Sequence, residues 1–308
     1  MRIVSYNVRY FGHALKGLAS TRRSKIGIAK AMSSLHPLAD VICLQEVETI
    51  SIRSRIAFRG RPKAETQLES FMSAFEQVFA ERRREFPYDA YYFRAHSYGS
   101  VRMPIYTTGL AILINRERIK VASNNCAAPA HITHHHVERF RDRKQTRICA
   151  HMKVKTPSGR VLHLFNTHLS LPTPFAVRFW TSREKMGFGS NQLREAHALS
   201  HFITQISGYD PFLVCGDFNS PPGSPVYRYL TGMGLSGAQE SLGLIDCEAP
   251  RGFPTAGLGR LRMHLDHLFA GRGIEWRDMG GTQEFGDRSS PFHGLSDHCP
   301  LIANFALR

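Results

Sequence analysis

No apolar run in this sequence approaches the roughly 18 residues that a helix needs to cross a bilayer, which sets aside the membrane-spanning classes. The first residues, Met1-Arg2-Ile3-Val4-Ser5-Tyr6-Asn7, read as a strand rather than a signal peptide, so a soluble, cytoplasmic protein is expected. Cysteine is sparse: six residues in a chain of 308, with no CxxC spacing. Cys43, Cys149 and Cys215 sit inside apolar runs, the setting of reduced core residues rather than of catalytic thiolates. Internal repeats and low-complexity tracts are absent too. The length suffices to bury a substantial core, and one domain spanning residues 1–308 is expected.

Acidic residues are the scarcer charge. The chain carries 40 Lys plus Arg against 25 Asp plus Glu, a net charge of +15 and a pI near 9.9. Such an excess concentrates polyanions, whether nucleic acid, an anionic lipid surface or small phosphates. Evenly spread, the same charge would serve only solubility. Two segments gather it: Arg53, Arg55, Arg59, Arg61 and Lys63 in one, and Arg139, Arg141, Arg143, Lys144 and Arg147 in the other.

Short runs of Val, Ile, Leu and Phe between turn signals alternate with a few longer stretches of helical period, a mixed α and β pattern. Strands are predicted at Arg2–Val8, Val41–Gln45, Ala90–Arg94, Leu110–Asn115, Thr146–Lys155, Val161–Thr167, Phe212–Cys215, Leu265–Phe269 and Leu301–Phe305. Helices are predicted at Arg22–Leu35, Glu65–Glu81 and Asn191–Ile206. In the last, Leu193, Ala196, Leu199, Phe202, Ile203 and Ile206 make one stripe that packs on a sheet. Leu68, Phe71, Met72, Phe75, Val78 and Phe79 make a similar stripe, a core face rather than a lipid-binding one.

Two irregular stretches, at about 123–144 and 170–190, read as loop insertions of the kind that bind or cover a substrate. The first holds His131, His134, His135 and His136. Three consecutive imidazoles do not converge easily on one ion, so these are read as solvated. The second interleaves Phe175, Phe179, Trp180, Met186 and Phe188 with Arg178, Arg183 and Lys185. That mix suits stacking on bases, insertion at a lipid interface, or capping of the core.

Near the end, Ser296-Asp297-His298-Cys299-Pro300 places an Asp-His pair before the last apolar run. Other carboxylate-, amide- or imidazole-bearing strand ends precede it in order: Asn7, Gln45-Glu46, Asn166-Thr167-His168, Gly216-Asp217-Phe218-Asn219 and Asp266. A phosphodiester resists water because the ester is anionic and neutral water is a weak nucleophile. A site that cleaves it must supply cations, a base and a charge sink. Magnesium prefers carboxylate and amide oxygens, so Glu46, at the end of an apolar strand, is the leading ligand candidate, with Asn7 placed likewise. Asp217 and Asn219, two apart, would aim one way if the backbone there stays extended, the one orienting water and the other donating to phosphate or to a metal-bound oxygen. His298 can act as base or as a protonated charge stabiliser, with its tautomer set by Asp266.

This ordered set resembles the endonuclease/exonuclease/phosphatase superfamily (deoxyribonuclease I-like) from Ile3 to Phe305. The resemblance implies a four-layer α/β sandwich, two packed mixed β-sheets flanked by helices, with Mg²⁺ or Mn²⁺ dependence and direct attack by water. It also implies metal binding by Asn7, Glu46 and Asp297, and catalysis by His168, Asp217, Asn219, Asp266 and His298. His168 in Asn-Thr-His-Leu matches nuclease, sphingomyelinase-like and phosphatase members and argues against an apurinic-site endonuclease. The region Tyr106–Leu110 departs from deoxyribonuclease I in lacking a carboxylate to support that His. Arg147, Arg178, Trp180 and Lys185 are candidates for substrate binding. Nucleic acid is the favoured phosphate ester, with phospholipid at an anionic surface, a small phosphomonoester, or a non-enzymatic phospho-ligand module as alternatives.

Overall fold

A computed structural model of the protein describes residues 1–11, 18–51, 66–100, 103–133, 146–171, 186–233, 242–247, 253–258 and 261–308. Strand β1 (Arg2–Asn7) pairs parallel with β2 (Val41–Ser51) and antiparallel with β15 (Leu301–Leu307). With β3 (Tyr88–Ser100), β4 (Met103–Asn115) and β14 (Ile274–Asp278) they form a six-stranded sheet in the order β14-β15-β1-β2-β4-β3. A second sheet joins β5 (Lys120–Asn124), β7 (Ile148–Lys155), β8 (Val161–His168), β9 (Phe212–Asp217), β10 (Ile245–Asp246) and β13 (Asp266–Ala270) in the order β10-β13-β9-β8-β7-β5. Its β8–β9 pair is parallel, and β6 (Ala130–His131) adds to β7. A separate hairpin, β11 (Ala256–Leu258) with β12 (Leu261–Met263), bridges to His298 through Ala256.

The central strands are buried on both faces, so alternation sorts their side chains between two apolar layers rather than between core and water. In β1, Ile3 faces the other sheet while Val4 and Tyr6 face helices; in β9, Leu213 and Cys215 face the seam while Val214 faces outward. Helices α1 (Leu18–Ser33) and α2 (Gln67–Glu81) cover the first sheet, and α3 (Ser190–Ser207) and α4 (Pro225–Thr231) cover the second. The result is a four-layer α/β sandwich. Helix α2 starts at a reciprocal cap, with Glu69 N–H donating to Thr66 Oγ1 at 3.1 Å and Thr66 N–H to Glu69 Oε2 at 2.7 Å. Its buried face stacks Phe71, Phe75 and Phe79 with Tyr88.

Each predicted strand and helix has its counterpart, most of them longer than expected. Helix α4, of seven residues, is too short to show a period, and β5, β6, β10, β11, β12 and β14 are too short or too exposed to alternate cleanly. The stretch at 123–144 is not wholly loop: Ser123 and Asn124 end β5, and Ala130 and His131 pair with β7. His134–His136, Arg139–Lys144 and Arg53–Lys63 lie outside the described residues, as do Phe175, Arg178, Phe179, Trp180, Arg183 and Lys185. Phe188, at the described end of the second stretch, is half exposed. Among the described residues no helix is long and apolar enough to cross a membrane.

On the outer face of the second sheet, His151 Nε2 and His163 Nδ1 lie 2.9 Å apart, and Asp210 takes the far side of His163 at 3.2 Å. Burial against Phe165 and Phe202, aided by His163 and Lys153, lowers the His151 pKa to about 4. The unfolded chain therefore binds the extra proton first. The contribution of His151 is complete above about pH 6.5 and is lost as pH falls toward about 4. His151→Phe is expected to flatten the decline of the urea midpoint across that window, and an unchanged slope would exclude His151 as its source. Phe75→Ala, which empties the aromatic stack, is expected to cost about 3–5 kcal/mol in the same assay at neutral pH.

Candidate active site

Alternation also decides what lies at the end of the seam between the sheets. Behind Ile3 in β1 comes Asn7; behind Val41 and Cys43 in β2 comes Gln45; behind Leu162 and Leu164 in β8 come Asn166 and His168. Behind Leu213 and Cys215 in β9 comes Asp217, and on β13 Asp266 shares a face with Leu268 and Ala270. The parallel pairs β1–β2 and β8–β9 bring these polar residues to one edge, so the apolar seam is capped by a polar layer. Gln45 and Asn166 form its floor. Gln45 Nε2 donates to Asn166 Oδ1 at 2.8 Å, and Asn166 Nδ2 reaches back to the Leu44 and Ala111 carbonyls at 3.1 and 3.2 Å, tying one sheet to the other.

Glu46 would point away from this edge under regular alternation. It does not end a strand, as expected from sequence, because β2 continues to Ser51; instead the ladder slips between Leu44 and Val47, and Glu46 adopts φ +52°. This bulge turns its carboxylate to the seam, within 3.2 Å of Asn7 Nδ2. Asn219 is likewise not on an extended backbone. Strand β9 ends at Asp217, and Asn219 sits at φ +48° with its N–H donating to Asp217 Oδ1 at 2.9 Å. The turn, rather than strand spacing, brings the two side chains together. Gly216 is required just before it, since a Cβ there would lie 2.0 Å from the Thr167 carbonyl oxygen.

Asn7, Glu46, His168, Asp217, Asn219, Asp266 and His298 form one cluster. Asn7 Nδ2 donates to Asp217 Oδ2 at 3.0 Å. His298 holds Asp266 Oδ2 through Nδ1 at 2.8 Å and presents Nε2 3.7 Å from Asp217 Oδ2. His168 Nε2 lies 3.5 Å from Asp217, 3.9 Å from Glu46 and 3.3 Å from Asn219 Nδ2. Asp297 is differently engaged: Arg9 pairs with its Oδ2, and Ser296 Oγ lies 3.4 Å from Oδ1. It is absent from the groups of potential ligand atoms lying within 4.8 Å of one another, which among the described residues here are Glu46–His168–Asp217 and Asp217–Asp266–His298.

Burial and the charge of Asp266 push the Asp217 pKa up to about 7, against the pull of His298 and the Asn219 and Asn7 donors. Burial disfavours the His298 cation, but Asp266, Asp217 and Glu46 outweigh it and raise its pKa to about 9. His168 is held neutral: burial, Arg147 and His298 all lower its pKa. It adjoins a small surface pocket also lined by Gly109, Leu110, Thr146 and Arg147, so a cation rather than a carboxylate stands there. The Glu46 and Asp217 carboxylates converging beside the Asn7 amide are hard oxygen donors with an excess of negative charge, which suits a divalent cation of the Mg²⁺ or Mn²⁺ type.

Sequence reasoning passed over the supports. Gln192 and Glu195 sit three apart on α3, polar positions within its buried face. Gln192 Nε2 donates to the Asn219 carbonyl at 3.0 Å, while Glu195 accepts from the Ser170 N–H and Oγ at 2.7 and 2.6 Å. Ser170 Oγ in turn accepts from Arg147 Nε at 3.4 Å. The only sequence signal for them was charge and amide on the helix face that should be apolar.

The pattern of the Endonuclease/Exonuclease/phosphatase family matches residues 4–298. No curated protein matches the sequence. Among solved structures, the human Nocturnin catalytic domain with bound sulfate is similar at a TM-score of 0.62 and 17% identity, over 100% of this chain and 94% of that one. ANGEL2, a 2′,3′-cyclic phosphatase in complex with adenosine-2′,3′-vanadate, is similar at 0.62 and 17%, over 99% and 95%. A mannosyl-6-phosphatase of Bacteroides thetaiotaomicron is similar at 0.60 and 15%, over 100% of both chains.

Asn166→Leu removes three buried hydrogen bonds, one from Gln45 and two to the Leu44 and Ala111 carbonyls, so a stability loss on the order of 1–3 kcal/mol is expected by urea unfolding. The double variant with Gln45→Leu should recover part of that loss, since it removes a buried amide left with only its longer contacts to Ser5 Oγ and the Cys43 carbonyl.

Proposed function

The chain belongs to the endonuclease/exonuclease/phosphatase family and is a phosphoesterase, and from that premise we propose a divalent-metal-dependent phosphodiesterase that cleaves nucleic acid by direct attack of water. The observation that carries the reaction type is the position of Asp217, a buried carboxylate flanked by His298, Asn219 and Asn7. The cation, Mg²⁺ or Mn²⁺, would be held by the Glu46 and Asp217 carboxylates, since Asn7 turns its Nδ2 to them and its Oδ1 to the Arg9 N–H while Asp297 is paired with Arg9, and it would supply charge neutralisation at the phosphate.

Asp217 takes the proton of the attacking water, a task suited to a carboxylate whose pKa is raised toward neutrality. Its Oδ1 is fixed by the Asn219 N–H, which leaves Oδ2 as the proton acceptor. His298, charged at neutral pH and oriented by Asp266, stabilises the negative charge that grows on the phosphoryl oxygens. Asn219 Nδ2 and neutral His168 complete the donor wall, and the bond from phosphorus to the leaving oxygen breaks as the water oxygen bonds. Arg147, beside His168, holds a flanking phosphate, and Arg178, Trp180 and Lys185 remain candidates for substrate binding from their chemistry alone.

Support for nucleic acid comes from the +15 charge and from similarity to ANGEL2, which is seen with adenosine-2′,3′-vanadate. A cytoplasmic setting accords with this reading. Plasmid DNA, RNA, anionic phospholipid vesicles and a chromogenic phosphomonoester should be compared in parallel with Mg²⁺, Mn²⁺ or chelator. Internal cleavage of nucleic acid, abolished by chelator and weakened steeply by salt, is expected. His298→Ala is expected to lower kcat by about 10²–10⁴-fold. Release of terminal phosphate alone would move the substrate to a small phosphomonoester, a preference for vesicles to phospholipid, and no turnover at all to a binding module.

A further inference from the structure

On the far side of the sheet from Asp217 lies a second set of ligand-type side chains, Asp246, His264 and His267, with one potential ligand atom of each within 4.8 Å of the others. His267 follows Asp266 in β13, so alternation turns it to the outer face, where it is fully buried. Its Nε2 lies 2.8 Å from the Ser220 carbonyl oxygen, which can only accept, so Nε2 carries a hydrogen. Nδ1 then faces Asp246 Oδ2 at 3.0 Å. In the neutral ring that nitrogen bears a lone pair, and a lone pair so close to a carboxylate oxygen needs a proton or a metal ion between them.

The outer contacts of the set match those of metal ligands. Ligating histidines donate their other nitrogen to a carbonyl or carboxylate, and ligating carboxylates are themselves hydrogen-bonded. Here His267 is held by Ser220, the His264 ring by the Asp266 backbone, and Asp246 Oδ2 by the Tyr227 hydroxyl at 3.1 Å. We propose that Asp246, His264 and His267 bind a zinc-type divalent ion, at a site separate from the oxygen-rich cluster around Glu46 and Asp217. Two imidazoles and one carboxylate select zinc and its neighbours over magnesium.

Tetrahedral bonds of about 2.0–2.2 Å set adjacent donors roughly 3.3–3.6 Å apart, and the His267–Asp246 pair, at 3.0 Å, needs to part by only a few tenths of an ångström. The His264 ring is stacked on His267, with centroids 4.7 Å apart and planes at 17°. It is partly exposed, on the link between β12 and β13, and would close the site by turning out of that stack. Among the described residues, the partly exposed Asp246 and His264 leave a side open for water as a further ligand. A bound ion would join β10 to β13 and, through Ser220, brace the turn that carries Asn219.

The test is zinc retention by the purified full chain in excess Mg²⁺, read by elemental analysis, with Co²⁺ absorption as a probe of tetrahedral geometry. The expected result is one zinc per chain, kept in Glu46→Gln, and a zinc-dependent rise in Tm. Asp246→Asn and His264→Ala should each weaken zinc binding by on the order of 100-fold and abolish that rise. Zinc held as tightly by both variants as by the unmodified chain, or no zinc retained against Mg²⁺, would overturn the site and leave a proton as the bridge. Partial exposure of His264 makes His264→Ala readable even if Asp246→Asn folds poorly.

Discussion

A carboxylate buried between two sheets, that of Asp217, sets the terms for everything around it. Taking one charge out of water costs several kcal/mol unless hydrogen bonds and opposite charge compensate. Here the compensation arrives from three groups, the local Asn219 N–H and, from distant parts of the chain, the Asn7 amide and the His298 cation, while the charge of Asp266, which holds that cation, works against Asp217. Burial and the Asp266 charge outweigh that compensation, which is why the Asp217 pKa stands near neutrality. The same residual negative charge suits the proposed roles of base and cation binding.

Two residues adopt a left-handed backbone to serve that arrangement. Glu46 and Asn219 each carry a strain of about 1–2 kcal/mol relative to the right-handed region. At Glu46 the strain purchases a change of face that regular alternation forbids. Around Asn219, Gln192 takes its carbonyl and His267 the next one, so the turn is anchored from two elements at once. Strain held by bonds to a rigid helix and a central strand is preorganisation: donors stand in place before substrate arrives.

The supports also divide the labour between charge and shape. Glu195 is almost fully buried, and it positions Ser170 and through it Arg147, so an acidic side chain on α3 governs where a basic one stands beside His168. Burial, aided by that cation and by His298, keeps His168 neutral, which suits a hydrogen-bonding wall rather than a second acid. The Arg147 side of the site is therefore positive and its centre, at Glu46 and Asp217, negative, a polarity that suits a phosphate ester between a cation and basic side chains.

Most of the architecture was legible from sequence because its information is local. Runs of Val, Ile and Leu with period-two alternation mark the strands, and the polar residues ending them, Asn7, His168, Asp217 and Asp266, are the ones the edge gathers. The order of those strand ends pointed to the family before any coordinate was known. What only tertiary structure decided depends on partners distant in the chain. The bulge at Glu46, the left-handed turn at Asn219, the capture of Asp297 by Arg9 and the bracing by Gln192 and Glu195 all arise from contacts between segments far apart. Asn7 and Asp217, bonded across 210 positions, illustrate the reason: a local pattern specifies which face a residue takes, but not which charge will meet it there.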